Sequence, residues 1–512
     1  MNLAVLHYHL NRGGVTRVIA NHLLSLDRAL TERVPVAILF GGRAQGWPED
    51  FGRQLQHIQL QLCPVPSLDY DDEPVAESET LAQALRETLS DVGFTPAETV
   101  LHAHNHNLGK NVSLPGALRR LAADGFGLLL QIHDFAEDFR PENYQRLRET
   151  IGSSLISHLS SLLYPQAPQV HYAVLNRRDQ IVLADVGVSP ERLHFLPNPV
   201  LDLPHLPDRA AARAKLRGRC GVSEQERFAL YPVRGIRRKN LGEMLLWSAL
   251  ADGPATFGLT LAPINPAERP RYERWKAFAR ELGLAVRFEA GAEGALTFEE
   301  NLSAADVIIT TSVAEGFGMA FLESWLAGRP LSGRNLPAVT ADFLEAGVEF
   351  DALYDSVAVP VEHVGFDDYA AALRSAGERL LTASGRPPLT DAEWEELIQA
   401  KTAGDRIDFG DLDEALQERI IRRAVEDRPA REALRRLNPI LSRWTTADAD
   451  RIRQNAAIIR QTYSPEPSGQ RLLDVYQAVL DSEREAETTP PENGAAVLDR
   501  FLDLRRFRLI RG

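Results

Sequence analysis

The sequence predicts an α/β protein built from two doubly wound, parallel-sheet domains that face a central cleft, with extra helices in the C-terminal region. Two observations support this prediction. Short apolar runs alternate with helix-length segments twice along the 512-residue chain, and a stretch rich in Pro, Arg and Asp separates the two blocks. Apolar runs of strand length, when helical segments separate them, are typical of parallel strands that helices cover on both faces.

The first block, residues 1–200, contains six predicted strands. These strands are Leu3–Leu6, Val34–Phe40, Val100–His104, Leu128–Ile132, Tyr172–Leu175 and Leu193–Leu196. A glycine loop at 11–14 follows the first strand, and apolar residues then recur at helical spacing from Val15 onward. This order of strand, glycine loop and helix is typical of the start of a doubly wound domain.

A break at Pro197-Asn198-Pro199 ends the first block, and residues 201–223 form the predicted linker. The second block, residues 224–445, contains four predicted strands and a helical extension. These strands are Phe228–Val233, Phe257–Ala262, Ala285–Glu289 and Val307–Thr310. Residues 446–512 are predicted as terminal helices. Ligands of doubly wound domains bind at the carboxyl ends of the strands, so we expect the site in the cleft between the two domains.

The composition excludes several classes of function. Lys and Arg number 57 and Asp and Glu number 71, a net charge of −14, which disfavours binding to nucleic acid. The two cysteines lie far apart and outside any zinc-binding spacing. No apolar run is long enough to span a bilayer, and the helix after Gly14 lacks a basic amphipathic stripe, so we expect a cytoplasmic protein without membrane contact.

A dense basic cluster nevertheless follows the first strand of the second block. Arg234, Arg237, Arg238 and Lys239 lie within six residues of one another. Arg binds phosphate through a planar fork and Lys binds it as a point charge, so the cluster predicts a diphosphate ligand. The alternative, a solvated charge run at the start of a helix, is disfavoured because cations there oppose the helix dipole.

A second informative stretch lies at 305–330, where a strand leads into Glu315-Gly316-Phe317-Gly318 and then a helix. The glycines let the backbone approach a ligand closely, and free amides at the start of a helix attract anions. Glu315 and Glu323 are eight residues apart and offer acceptors for vicinal hydroxyls of a sugar or ribose. The alternative is that both acids serve only the dipole of the helix.

Together these features resemble a known family. Arg234-x4-Lys239 and Glu315-x7-Glu323, in the order that also includes Gly13-Gly14, His133 and Pro197-Asn198, resemble the retaining nucleotide-sugar glycosyltransferases of the GT-B fold, family 4. The resemblance covers about residues 1–345. It implies two Rossmann-like domains facing a central cleft, and terminal helices that cross back to the N-terminal domain.

The resemblance also implies roles for the matching positions. Arg234 and Lys239 would bind the donor diphosphate and stabilise the leaving group. Glu323 would hold the ribose hydroxyls, and Glu315 would contact hydroxyls of the transferred hexose. The donor would be a UDP-, GDP- or ADP-sugar, and no metal or cofactor would be required.

Further positions follow from the same resemblance. The amides of Phe317, Gly318 and Met319 would support the sugar and phosphate. Gly14 would let the N-terminal loop close over the diphosphate, and His133 would face the anomeric carbon.

The acceptor side of the site is expected at the end of the strand Val100–His104. His102, His104 and His106 alternate there, which raises the alternative of a metal site, but polar contacts to acceptor hydroxyls are favoured. His104, Lys110 and Asn111 are the predicted acceptor-side residues. The acceptor itself is expected to be a carbohydrate or a small hydroxyl compound.

Some alternatives stay open at this point. A sugar phosphorylase, a nucleotide-sugar epimerase or an inactive sugar-nucleotide-binding protein would carry the same motifs, and the sequence does not decide whether the protein forms a homo-oligomer. Residues after Asp351 do not match the family pattern. Ser332-Gly333-Arg334 also differs from the apolar strand usual after the glutamate helix, which leaves the backbone there undecided.

Overall fold

The computed structural model describes residues 1–71, 75–150, 156–203, 206–442 and 448–511. The chain divides into two compact units. Unit 1 comprises Met1–Leu201, Leu380–Pro387 and Gln461–Asp503, and unit 2 comprises Asp202–Arg379, Pro388–Arg460 and Leu504–Gly512. Each unit therefore contains residues from three separate segments of the chain.

Unit 1 is built on a parallel sheet, which confirms the predicted fold class. In the described part of the unit, seven strands pair in the order β3-β2-β1-β4-β5-β6-β7. They are β1 (Asn2–His7), β2 (Val34–Phe40), β3 (Ile58–Pro64), β4 (Thr99–His104), β5 (Gly127–Ile132), β6 (Val170–Val174) and β7 (Leu193–Phe195). The sequence did not predict β3, because this edge strand exposes side chains such as Gln59 and Gln61 and lacks a continuous apolar run.

Helices pack on both faces of this sheet. They are α1 (Gly14–Ala29), α2 (Ser78–Asp91), α3 (Leu114–Ala123), α4 (Pro141–Thr150), α5 (Ile156–Leu163), α6 (Arg177–Val186), and, from the C-terminal region, α20 (Pro465–Asp481) and α21 (Ala496–Phe501). Helix α20 lies directly against α1. A Cβ at Gly469 would lie 2.0 Å from the carbonyl oxygen of Ser25, so only glycine permits this approach.

Unit 2 contains a second parallel sheet. In the described residues its six strands pair in the order β10-β9-β8-β11-β12-β13. They are β8 (Arg227–Arg234), β9 (Ala255–Leu261), β10 (Val286–Arg287), β11 (Val307–Thr310), β12 (Leu331–Arg334) and β13 (Leu353–Tyr354). The undecided segment 332–334 thus forms the end of a strand. Its polar Arg334 is tolerated at 0% exposure because Glu243 and Asp408 both pair with its guanidinium.

The remaining elements of the chain are mainly helical. They are α7 (Arg209–Cys220), α8 (Leu241–Leu250), α9 (Arg269–Glu281), α10 (Phe298–Ala304), α11 (Ala320–Leu326), α12 (Pro337–Glu345), α13 (Val361–Val364), α14 (Phe366–Ala383), α15 (Asp391–Lys401), α16 (Glu414–Glu426), α17 (Arg428–Leu437), α18 (Pro439–Ser442) and α19 (Ala449–Tyr463). A short antiparallel pair, β14 (Ala358–Pro360) and β15 (Arg406–Asp408), interrupts them. Among the described helices, none combines the length and the apolar character that a bilayer crossing needs.

The strand order of each sheet reverses at one place. In unit 1 the chain starts at β1, moves outward to β3 and returns on the other side of β1 with β4. In unit 2 the same reversal lies between β8 and β11. Open parallel sheets bind ligands at the carboxyl ends of the strands beside such a reversal. The loops that follow β1, β4, β8 and β11 are therefore the places where each unit is expected to hold a ligand.

Candidate functional site

The carboxyl ends of β8 and β11 bring a buried carboxylate between two cations. Lys239 and Arg238 follow β8, and Glu315 follows β11. The Glu315 carboxylate accepts hydrogen bonds from the Lys239 ammonium and, at 3.0 Å, from the Arg238 guanidinium. Only 11% of the Glu315 side chain and 12% of the Lys239 side chain are exposed. The structure thus brings two predicted site residues, Lys239 and Glu315, into direct contact.

Neighbouring hydroxyl groups hold this cluster in place. The Ser312 hydroxyl donates to Glu315 Oε1 at 2.5 Å, and the Tyr231 hydroxyl lies 2.6 Å from Ser312 Oγ. The Thr311 hydroxyl donates to the carbonyl oxygen of Lys239 at 2.9 Å. Sequence reasoning missed these supports, because neither spacing nor periodicity distinguishes these hydroxyl residues from others along the chain. Their hydrogen bonds fix the positions of the two charged loops relative to each other.

The charge state of Glu315 follows from this environment. Burial alone would disfavour the ionised carboxylate, but the charges of Lys239 and Arg238, with hydrogen bonds from Lys239 and Ser312, outweigh it and lower the pKa of Glu315 to about 2. Glu315 is therefore ionised at neutral pH and acts purely as a hydrogen-bond acceptor. Such a group is suited to orient sugar hydroxyls and to hold the Lys239 ammonium in place.

The basic cluster predicted from the sequence does not act as one group. The Arg237 guanidinium pairs with Glu414 at 2.8 Å, and its backbone amide donates to Glu268 at 3.0 Å. Arg237 thus fastens the loop to helix α16. The Arg234 guanidinium lies 3.5 Å from the carbonyl oxygen of Ala262, beside the end of the neighbouring strand.

The loop from Glu315 to Glu323 has a conformation that depends on its glycine. Gly318 has a φ of +80°, and a Cβ there would lie 2.8 Å from the Phe321 ring. The Phe317 side chain is buried and packs edge-to-face on Phe343, with ring centroids 5.4 Å apart. Glu323 lies in the first turn of α11 and is 7% exposed.

Met319 immediately precedes this helix and accepts the backbone hydrogen bond of Glu323 through its carbonyl oxygen. The donor contacts assigned to Phe317, Gly318, Met319 and Glu323 from the resemblance stay predictions.

In unit 1, the loops after β4 and β5 bring two predicted histidines together. His104 Nδ1 lies 2.9 Å from His133 Nε2, and both rings are buried. The Asn105 side chain accepts from the backbone amide of His133 at 2.8 Å and orients this loop. Burial lowers the pKa of His133 to about 4 and that of His104 well below its usual range. Both histidines are therefore neutral at pH 7, and His104 supports His133 from inside the unit.

The alternation predicted for His102, His104 and His106 stops after His104, where β4 ends. His106 instead bonds to the carbonyl oxygen of Leu163 at 2.8 Å. The third partner is His22 of helix α1, and nitrogens of His22, His102 and His104 lie within 4.8 Å of one another. The prediction of three histidines from one strand was therefore wrong about the third.

Metal ions are commonly held by three or more His, Cys, Asp or Glu side chains. Among the described residues, these three histidines are the group of such side chains that lie close enough together to hold one. Both nitrogens of His102 are already engaged, by the Tyr476 hydroxyl at 2.8 Å and by Gln131 at 2.9 Å. The rings of His102 and His104 stack 4.3 Å apart, whereas metal ligands point their nitrogens at a common centre. The arrangement therefore favours a neutral, hydrogen-bonded stack.

The other predicted residues of unit 1, Gly14 and Asn111, differ in their surroundings. Gly14 is the first residue of α1, and no atom lies within 4 Å of a Cβ built there. The Asn111 amide donates to the carbonyl oxygens of Ser67 and Asp69 and accepts from the amides of Ser113 and Leu114. These four bonds use its full capacity, so Asn111 holds the loop that carries Lys110.

With its two parallel α/β sheets, the molecule has the GT-B fold. Over 93% of this chain it is similar to the Anabaena protein HepE determined with UDP-glucose, with a TM-score of 0.53, 14% identity and 100% of that chain covered. It is likewise similar to sucrose-phosphate synthase from Thermosynechococcus elongatus, with a TM-score of 0.56, 15% identity and coverage of 93% of this chain and 98% of that chain. At these identities the likeness establishes the fold.

A sequence relative is the mannosylglucosyl-3-phosphoglycerate synthase of Petrotoga mobilis, which is 29% identical over 333 residues. The match spans 63% of this chain and 63% of the length of that curated relative. No protein-family model matches the chain.

Proposed function

We propose that the protein is a retaining glycosyltransferase, which moves a hexose from a nucleotide-diphosphate sugar to a hydroxyl group of an acceptor. The observation that carries this proposal is the Lys239–Glu315–Arg238 cluster. It lies at the carboxyl ends of β8 and β11, where the strand order of unit 2 reverses. The structurally similar HepE was determined with UDP-glucose, which supports a nucleotide sugar as the ligand of this fold.

The residues of unit 2 provide the groups that this reaction needs. When the bond from the anomeric carbon to the diphosphate oxygen breaks, negative charge develops on the nucleoside diphosphate. Lys239 and Arg234, placed after β8 and at its end, would stabilise that charge in advance of the reaction. Glu315 would orient the hexose through its hydroxyls and keep Lys239 in position, and Glu323 would bind the ribose.

The acceptor oxygen attacks the anomeric carbon from the face that the diphosphate leaves, and the departing phosphate oxygen takes the acceptor proton. Bonds and protons then balance without a separate strong base or a metal ion. This fits the buried histidines of unit 1, because His104 and His133 are neutral at pH 7. In this proposal His133 contributes a hydrogen bond to the sugar.

The test is an activity screen with UDP-, GDP- and ADP-hexoses, followed by NMR of the product. We expect release of one nucleoside diphosphate and a new glycosidic bond with the donor's anomeric configuration. An inverted product would contradict the mechanism. Cleavage of a disaccharide only in the presence of phosphate would indicate a phosphorylase, and interconversion of sugar nucleotides would indicate an epimerase.

A matched pair of lysine variants assigns the activity to this site. Lys239→Gln removes one of the two cations that bind Glu315, and Lys215→Gln removes a more exposed lysine that pairs with Glu300 at 2.6 Å elsewhere in unit 2. Loss of a charge-assisted contact to the diphosphate is expected to lower kcat/KM by about 100-fold or more in Lys239→Gln. Lys215→Gln is expected to retain wild-type kinetics. Equal activity of the two variants would contradict the proposed role of Lys239.

A further inference from the structure

A second group of cations lies in unit 1, around the ring of Tyr70. The Arg43 guanidinium lies 5.5 Å and the Lys110 ammonium 5.6 Å from the centre of this ring. Burial raises the pKa of Tyr70, and the positive charges of Arg43 and Arg140 lower it. Arg140 is therefore close enough to the Tyr70 hydroxyl to act on it electrostatically. Arg43, Tyr70, Lys110 and Arg140 follow β2, β3, β4 and β5 respectively, so the group occupies the carboxyl edge of the sheet.

The cations of this group repel one another. Burial lowers the pKa of Lys110, and the positive charges of Arg140 and Arg146 lower it further, against the weaker attraction of Glu142. Arg146 comes from helix α4 and donates to the carbonyl oxygen of Asp71. Lys110, Arg140 and Arg146 thus form a cluster of like charge, which costs folding free energy unless an anion joins it.

The hydrogen bonding of this cluster is incomplete. Asp134 pairs with Arg140 at 2.8 Å, but the Nε–H groups of Arg140 and Arg146 are buried and have no acceptor in the part of the chain that the structure describes. Within those same residues, no carboxylate forms an ion pair with Lys110. Buried N–H groups without acceptors are rare in folded proteins, and here two of them belong to neighbouring cationic side chains.

We propose that Lys110, Arg140 and Arg146 bind a phosphate group carried by the acceptor substrate, an inference that rests on the proposed glycosyltransferase function. Arg presents a fork that matches phosphate oxygens, and Lys adds a point charge. A phosphate monoester is a dianion near neutral pH and brings the acceptors that the orphaned Nε–H groups lack. A neutral sugar would bring no negative charge to Lys110 and Arg146, which form no ion pair among the described residues, whereas Arg140 already pairs with Asp134.

The position of the cluster suits an acceptor site. Arg140 pairs with Asp134, the residue directly after His133. The proposed phosphate site therefore lies on the same loop as His133, the residue expected to face the anomeric carbon. Tyr70 is 41% exposed, and a sugar ring can pack against the exposed part of this aromatic residue. An acceptor with a phosphate at one end would place its hydroxyls toward the carboxyl ends of β4 and β5.

The experiment compares acceptors in pairs that differ only by phosphate, namely glucose with glucose 6-phosphate and glycerate with 3-phosphoglycerate. We expect transfer to a phosphorylated member at a kcat/KM at least about 100-fold above that of its partner. We also expect inorganic phosphate to compete with the acceptor. Equal use of both members of every pair would overturn the inference.

Variants assign the effect to the cluster. Lys110→Gln and the double variant Lys110→Gln/Arg146→Gln are expected to raise KM for the phosphorylated acceptor by about 10-fold and 100-fold, since hydrogen bonds to charged groups contribute about 1.5–3 kcal/mol each. The matched control is Arg86→Gln, which removes a half-buried arginine of the same unit that pairs with Glu79 and Asp124. An unchanged KM in both cluster variants would overturn the assignment.

Two measurements separate this inference from the proposed function. Hydrolysis of the sugar nucleotide by the wild-type protein without acceptor reports only the proposed function. Titration of inorganic phosphate into wild type and Lys110→Gln, followed by ³¹P NMR on the full-length protein, reports the phosphate site, because the proposed donor site is the same in both proteins. If wild type and Lys110→Gln bind phosphate equally, the inference fails whatever the hydrolysis assay shows.

Discussion

Acidification is expected to destabilise unit 1 steeply, because its core holds several neutral histidines. His7, His22, His102, His104 and His133 are all buried, with exposures of 6% or less. Burial is the largest cause of the lowered pKa in each, to about 3 in His7 and His102, to about 4 in His133 and well below the usual range in His22 and His104. The unfolded chain, in contrast, has the ordinary histidine pKa of about 6.5.

Proton linkage gives the sign and the size of the expected change in the free energy of unfolding. Below about pH 6.5 the unfolded chain binds protons that the folded unit does not, so this contribution to stability is present above that pH and is lost as the pH falls toward the folded pKa values. Between pH 7.5 and 5.5 each histidine removes about 1.4 kcal/mol, and five remove about 7 kcal/mol. A typical domain has a total free energy of unfolding of about 5–15 kcal/mol.

The assay is urea unfolding of the full-length protein from pH 7.5 to 5.5, with hydrogen–deuterium exchange of β4 and α1 to identify unit 1. His22→Leu removes a ring whose two nitrogens both lack partners in the described structure, so we expect a stability gain of about 1–3 kcal/mol at pH 7.5 and a shallower loss at low pH. His158→Leu changes an exposed histidine and serves as the control. If the protection factors of the β4 amides, that is, the intrinsic exchange rates divided by the observed rates at the same pH, do not change between pH 7.5 and 5.5, the expected loss of stability is wrong.

Two further predictions concern packing. Arg334→Met leaves the buried Glu243 without its arginine partner and takes one arginine from Asp408, which stays paired with Arg508. We expect a loss of about 3–5 kcal/mol in unit 2 by urea unfolding, whereas Arg505→Met, at an exposed pair with Glu396, should change little. Gly469→Ala pushes α20 away from α1, because its Cβ would meet the Ser25 carbonyl oxygen, and faster hydrogen exchange in both helices is expected; unchanged exchange would contradict the close approach.

The sequence predicts the parallel sheets well, because strands covered on both faces need continuous apolar runs. The prediction fails for strands that lack a continuous apolar run. The edge strand β3 is half exposed, and β12 ends in Arg334, whose partners Glu243 and Asp408 lie 91 and 74 residues away. Propensity and periodicity are local signals and contain no information about such distant ion pairs.

The candidate site shows the same division. The contact between Lys239 and Glu315 follows from the rule that neighbouring parallel strands end at one edge, which can be applied to a sequence. Arg237 pairs with Glu414, which lies 177 residues further along the chain. The third member of the histidine trio, His22, comes from helix α1. Loop position is predictable from topology, whereas the partner of each side chain requires the tertiary structure.

We propose that the nucleoside diphosphate of a sugar donor binds at the carboxyl ends of β8 and β11, and a crystal structure of the protein with UDP or GDP checks this. We expect the diphosphate within hydrogen-bond distance of Lys239 and the ribose hydroxyls at Glu323. A nucleotide bound at any other edge of either sheet, with Lys239 still bound to Glu315 and out of reach of the nucleotide, would show that the proposal is wrong.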